Sequence, residues 1–217
     1  MIITEQKPLE EILKSLQDYN KVFLVGCGEC STTCKTGGEK ELLQIKAALE
    51  TSGKVVTGWV IPKAPCVAAQ VKVEFAKNRK AMMEAQAVLA FSCGLGAQSI
   101  KDNNRLEQVV IPGCNTVCMG VVDAQGNFFE KCSACGDCVL GITGGVCPVT
   151  LCPKGLLNGP CGGVNKGKCE VDKERDCAWV LIYKDLEKRN KLEEFKKIQA
   201  PKDYKKAIRP HKIAMTP

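Results

Sequence analysis

The sequence predicts an α/β chain: a small parallel sheet with its helices, then an irregular cysteine-rich module, then a helical and finally extended C-terminal tail. Three observations carry this expectation. Short apolar runs alternate with amphipathic stretches up to residue 112, the pattern of βαβ units. Periodicity disappears near residue 130, where cysteine and glycine take over. It returns at Ala178 and gives way after residue 197 to a stretch with two internal prolines, Pro201 and Pro210.

In chain order, residues 8–19 (PLEEILKSLQDY) space their apolar side chains as a helix does. Residues 21–26 (KVFLVG) read as a short buried strand ending at Gly26. Residues 38–51 (GEKELLQIKAALET) form an amphipathic helix stopped by Gly53, and residues 54–61 (KVVTGWVI) a β-rich run stopped by Pro62. A helical stretch covers about 67–85, and residues 87–92 (AVLAFS) and 108–112 (QVVIP) are a third and a fourth strand. Strands separated by helices pair in parallel, so residues 1–128 are expected to form a small Rossmann-like or flavodoxin-like domain. The cysteine-rich module is expected over 129–180, and a C-terminal helix with a basic docking tail over 181–217.

Fifteen of the 217 residues are cysteine and one, His211, is histidine. The N-terminus has no basic stretch followed by an apolar core, so a secretory leader is not expected. No apolar run reaches the roughly 18 residues of a membrane span. A reducing cytoplasm is therefore the expected compartment, and with an odd cysteine count disulfides are not the main explanation. An all-thiolate set suits iron–sulfur clusters or a zinc held by four cysteines.

The first group of cysteines sits where the strands end. Cys27-Gly-Glu-Cys30-Ser-Thr-Thr-Cys34 follows the first strand, Cys66 the second, Cys93 the third and Cys114 the fourth. Open α/β sheets bind ligands beyond the carboxyl ends of their strands. Cys27, Cys30, Cys34, Cys66 and Cys93 are thus five candidates for one four-ligand site. Cys114 and Cys118 read as small buried hydrophobes. Gly26-Cys-Gly28 and Gly94-Leu-Gly96 are not GxGxxG, and direct NAD binding is not expected.

The second group is denser. Cys132 to Cys177 spans 46 residues with eight cysteines and nine glycines, too irregular to build a core without a staple. Cys132-Ser-Ala-Cys135-Gly-Asp-Cys138 repeats the first two spacings of the ferredoxin run, with the fourth cysteine displaced to Cys147 or later; Cys147-Pro148 and Cys152-Pro153 follow. Cys161, Cys169 and Cys177 complete eight. One cubane with spare thiols, two cubanes, or a cubane plus an all-cysteine zinc site all fit.

Charge is uneven. Residues 184–217 carry eleven Lys or Arg against five Asp or Glu, whereas the rest of the chain carries 20 against 19. A basic arm that docks on an acidic partner is one reading of the tail, and a solvated tail is the other. Lys154 is the sole basic residue in 132–162, and that stretch has no aromatic residue, so nucleic-acid binding is not expected. No histidine lies in a cysteine motif, which argues against a catalytic thiol. No catalytic residue is assigned in this chain.

The run from Cys132 through Cys147-Pro-Val149, Cys152-Pro-Lys, Asn158-Gly-Pro-Cys161-Gly-Gly, Lys168-Cys169-Glu and Asp176-Cys177-Ala-Trp179 resembles the C-terminal domain family associated with methylenetetrahydrofolate reductase. Val25-Gly-Cys-Gly-Glu-Cys30 and Cys34-Lys-Thr-Gly-Gly38 are similar to it too. At this length the chain resembles the small iron–sulfur subunits of the two-subunit reductases of acetogenic bacteria. The resemblance implies two or three [4Fe–4S] clusters, or two and a zinc, with ligands drawn from Cys27, Cys30, Cys34, Cys66 and Cys93 and from the eight cysteines of 132–177. It implies a flavin-containing catalytic partner that carries FMN and a place in the Wood–Ljungdahl pathway. Electrons would pass between that flavin and ferredoxin or a larger electron-bifurcating complex. A metal-stapled docking subunit without electron transfer is the alternative.

Overall fold

The computed structural model describes residues 1–213. The chain divides into two compact units, Met1–Cys118 and Met119–Pro217.

The first unit begins with β1 (Ile2–Gln6) and α1 (Leu9–Ser15), followed by β2 (Lys21–Val25), the one-turn α2 (Cys30–Thr33) and α3 (Glu39–Thr51). Then come β3 (Val55–Val60), α4 (Ala68–Lys77), α5 (Arg79–Glu84), β4 (Ala87–Ala90), α6 (Gly94–Asn103) and β5 (Val109–Pro112). β2 to β5 form a four-stranded sheet in the order β3-β2-β4-β5, with every pair parallel. Helices cover both faces, so the central strands are near-continuous apolar runs rather than alternating ones. The two-residue side-chain period still sorts them. Val22, Leu24, Ala87 and Leu89 pack with Ile12 and Leu16 near α1 and with Leu42, Ile45 and Leu49 of α3. Phe23, Val25, Val88 and Ala90 pack on the other face with Val71 of α4, Met82 of α5 and Ile100 of α6.

The helical stretch expected over 67–85 is two helices. The Asn78 side chain donates to the Glu74 carbonyl at 2.9 Å, and its own backbone N–H uses the same oxygen at 3.1 Å. Such local bonding competes with continuation of the helix. Helix α6 was not expected from the sequence.

β6 (Cys114–Val122) runs through the division between the units, and β7 (Phe128–Cys132) follows it. Within the second unit, Met119–Val122 of β6 pair antiparallel with β7. The second unit then holds α7 (Pro148–Leu151), α8 (Ala178–Lys188), α9 (Leu192–Lys196) and a 3₁₀ turn at Tyr204–Ala207. Its core is small: Trp179, Ile182 and Leu186 of α8, with Val146, Leu156, Leu192 and Phe195 against them. The Trp179 indole donates to the Leu156 carbonyl at 3.1 Å, and Phe195 meets both Trp179 and Tyr183 edge-on. The tail is not uniformly extended, because Lys202 is buried and the 3₁₀ turn follows it. Residues 214–217 of the expected docking tail lie outside the described residues. Among the described residues no helix is long and apolar enough to cross a membrane.

Candidate functional site

In the first unit β2 lies between β3 and β4, so the chain leaves it in one direction along the sheet and crosses back over it later. That reversal opens the crevice in which such sheets bind ligands, at the carboxyl ends of the strands. Cys27 comes two residues after β2, Cys66 in the loop after β3, Cys93 directly before α6, and Cys114 at the start of β6. Cys27, Cys93 and Cys114 are buried, Cys30 and Cys34 half-buried, and Cys66 exposed.

Backbone bonds fix the loop that carries three of these cysteines. The Cys27 N–H donates to the Gly37 carbonyl at 3.0 Å, and the Gly28 N–H to the Pro62 carbonyl at 3.0 Å. The Thr32 hydroxyl donates to the Cys27 carbonyl at 2.7 Å. Lys35 adopts a left-handed φ of 56°, and the chain turns back so that the Thr36 N–H reaches the Ser31 carbonyl at 2.8 Å. Strand β1 borders the same loop. The Ile2 N–H donates to Cys30 Sγ at 3.4 Å, and Cys34 Sγ donates to the Ile2 carbonyl at 3.7 Å.

The thiols feel one another. Burial raises Cys66, and the neighbouring Cys93, Cys27 and Cys30 push it the same way. Burial pushes Cys114 up to about 12; Cys34, Cys93 and Cys27 add to this against hydrogen bonding with Thr36. Its S–H donates to the Thr36 carbonyl at 3.6 Å. Ionising one thiol of such a group disfavours ionising the next, unless a cation replaces the protons. The five cysteines singled out from sequence therefore lie around one end of the sheet, and Cys114, set aside there, adjoins them.

In the second unit Cys132 ends β7, and the Ala134 N–H donates to its sulfur at 3.4 Å. Ala134 and Gly136 have left-handed φ values of 52° and 79°. Burial raises the Cys135 thiol, but the backbone at Asp137 and the Lys202 ammonium outweigh it, and the thiol ends below its ordinary value. The Lys202 side chain is only 1 % exposed. Its ammonium stands beside the Cys135 thiol and 4.0 Å from the Asp137 carboxylate. A buried ammonium is costly, and an anionic group beside Cys135 would offset that cost. Cys147 and Cys152 stand at the two ends of α7. Cys152, Cys161, Cys169 and Cys177 line one small cavity with Val164, Lys154, Glu170 and Trp179.

Among the described residues no three His, Cys, Asp or Glu side chains are spaced to ligate a single ion. The thiolates of a four-iron cluster bind four different irons and stand wider apart than ligands of one ion. The donor set, all sulfur with a buried ammonium beside it, fits an anionic thiolate-bound cluster.

Sequence reasoning missed Lys202, because nothing in a solvated-looking basic run distinguishes the one lysine that is buried. It also missed the contacts of β1 with the cysteine loop. No curated protein and no solved structure matches the chain. Residues 111–205, which include all eight cysteines of the second group, match the family model described as methylene-tetrahydrofolate reductase C terminal, so this stretch is similar to the C-terminal domain of such reductases.

Proposed function

We propose that this chain is an iron–sulfur electron-transfer and scaffold subunit of a methylenetetrahydrofolate reductase complex. The observation that carries the reading is the convergence of Cys27, Cys66 and Cys93 at the carboxyl edge of a parallel sheet, with Cys30 among their neighbours. The similarity of residues 111–205 to the reductase C-terminal domain supports the choice of complex. A four-iron cluster supplies one-electron transfer when bound. Cys27, Cys30, Cys34, Cys66 and Cys93 are the residues from which the first set of ligands is drawn, and the cysteines of 132–177 supply the second.

On this reading the protein binds, insulates and positions its clusters, while folate reduction takes place on the FMN of a flavin-containing partner subunit. The outside donor is ferredoxin or a larger electron-bifurcating complex, and the setting is the cytoplasmic Wood–Ljungdahl pathway. The exposed basic residues Lys205, Lys206, Arg209 and Lys212 are the surface offered to an acidic partner.

A second reading keeps the metals but removes the current: they staple a docking module. It is favoured by the small core of the second unit, built around Trp179, Ile182 and Leu186. Redox titration of anaerobically purified protein, followed by EPR, separates the two. Reducible clusters are expected; iron-loaded protein with no reducible signal would sink the relay and leave the staple.

A further inference from the structure

Eight thiols between Cys132 and Cys177 can be grouped into two sets of four in many ways, and spacing alone does not choose. The geometry of the second unit does. Helix α7 is one turn long, with Cys147 just before Pro148 and Cys152 just after Leu151. It packs against β7, which ends in Cys132, and against α8, which begins after Cys177. Cys147 and Cys152 therefore flank a helix that touches both elements.

Cys152, Cys161, Cys169 and Cys177 line a single cavity of about 20 Å³. None of Cys132, Cys135, Cys138 or Cys147 lines it. Two of the four are fixed by one knuckle of backbone. Asn165 and Lys168 exchange hydrogen bonds at 3.1 and 2.9 Å, the Cys169 N–H donates to the Arg175 carbonyl at 3.0 Å, and the Cys177 N–H donates to the Gly167 carbonyl at 2.9 Å. Trp179 and Val164 close the wall with apolar surface. A cation stands at the rim. The Lys154 ammonium donates a hydrogen bond to the Glu170 carboxylate. That charge suits a site that becomes anionic when its thiolates are bound.

We infer that Cys152, Cys161, Cys169 and Cys177 hold one [4Fe–4S] cluster, and that Cys132, Cys135, Cys138 and Cys147 form a separate set at the end of β7. The inference rests on the iron–sulfur reading above and deepens it. A single zinc would need four sulfurs at about 2.3 Å from one centre, and no three donors among the described residues are that closely gathered.

The test uses the full chain, prepared anaerobically, with Cys161→Ala, Cys169→Ala, Cys135→Ala and two double variants. Iron, zinc and acid-labile sulfide are measured per chain. Cys161→Ala and Cys169→Ala are each expected to lose about four irons, and the double variant no more than either single one. Cys135→Ala with Cys161→Ala is expected to lose the sum of its two singles. Additive loss for Cys161 with Cys169, non-additive loss for Cys135 with Cys161, or departure of zinc with iron unchanged would overturn the grouping or its metal. Wild-type protein without iron and sulfide defeats the underlying reading instead. Because a cysteine variant can unfold the module, mild diamide oxidation of metal-free wild type gives an independent readout by peptide mapping. Crosslinks confined to Cys152, Cys161, Cys169 and Cys177 support the set, and crosslinks from Cys135 or Cys138 to Cys161 or Cys169 overturn it.

Discussion

Replacing Gly37 by alanine should damage the first unit far more than so small a change suggests. An added Cβ would lie 2.0 Å from the Phe91 carbonyl oxygen and 3.0 Å from both its carbon and Ser31 Cβ. The oxygen belongs to backbone that has little room to retreat. Phe91 is fully buried, its N–H is bonded to the Val25 carbonyl at 2.7 Å, and its ring fills the space where a Cβ on Gly113 would sit. The loop must therefore move, and that loop accepts the Cys27 N–H on the Gly37 carbonyl at 3.0 Å. Overpacking of this kind costs about 1–3 kcal/mol, and weakening the backbone bond adds about 1 kcal/mol. A loss of roughly 2–4 kcal/mol is expected. The assay is equilibrium urea unfolding in a Trp179→Phe background, so that Trp59 reports the first unit. Gly94→Ala is the control: it opens α6, and the nearest atom to its Cβ is Thr116 Oγ1 at 3.4 Å. It should stay within about 0.5 kcal/mol of its parent. A Gly37→Ala variant as stable as its parent, or a Gly94→Ala variant equally damaged, would refute the reasoning.

Two further outcomes are expected. In metal-free protein, Cys114 is pushed from its ordinary 9.0 to about 12, chiefly by burial. A raised thiol stabilises the fold below its unfolded value and loses that contribution as pH rises toward the folded one. Between pH ~8 and ~10.5 the wild type should therefore lose about 2 kcal/mol more than Cys114→Ala in urea titrations, and parallel pH profiles would contradict this. Lys202→Met should change sign with metal loading. It removes a buried ammonium from the metal-free chain and so leaves thermal stability unchanged or higher. In the iron-loaded chain it removes a counter-charge beside Cys135 and lowers the midpoint potential of the Cys135 cluster; an unchanged potential in EPR titration counts against that role.

How far the sequence could be read follows from burial. β2 and β4 are covered on both faces, so they stand out as unbroken apolar runs, and the cysteines at their ends were legible with them. Helix α6 was not, because its sequence GLGAQSIKDN buries only Gly96 and Ile100 and carries a weak helical pattern. β7 is exposed along its whole length, so no alternation marks it, and β1 is five residues with a mixed pattern. The break at Asn78 depends on a side-chain bond that periodicity does not register. Cysteine density in the second unit was plain, but its partition was not. Glycines with left-handed φ, such as Gly162 and Gly167 beside Cys161 and Cys169, steer long loops whose meeting points spacing does not encode. Lys202 illustrates the same limit, since ten other basic residues share its stretch and only the fold selects it.

The central claim is that the thiols of this chain are cluster ligands, and it meets its most direct test in the metal and sulfide content of anaerobically prepared wild-type protein. Iron and acid-labile sulfide in equal amounts, about eight or more of each per chain, are expected for two or more four-iron clusters. Protein that carries zinc without sulfide, or neither iron nor sulfide, would contradict the account.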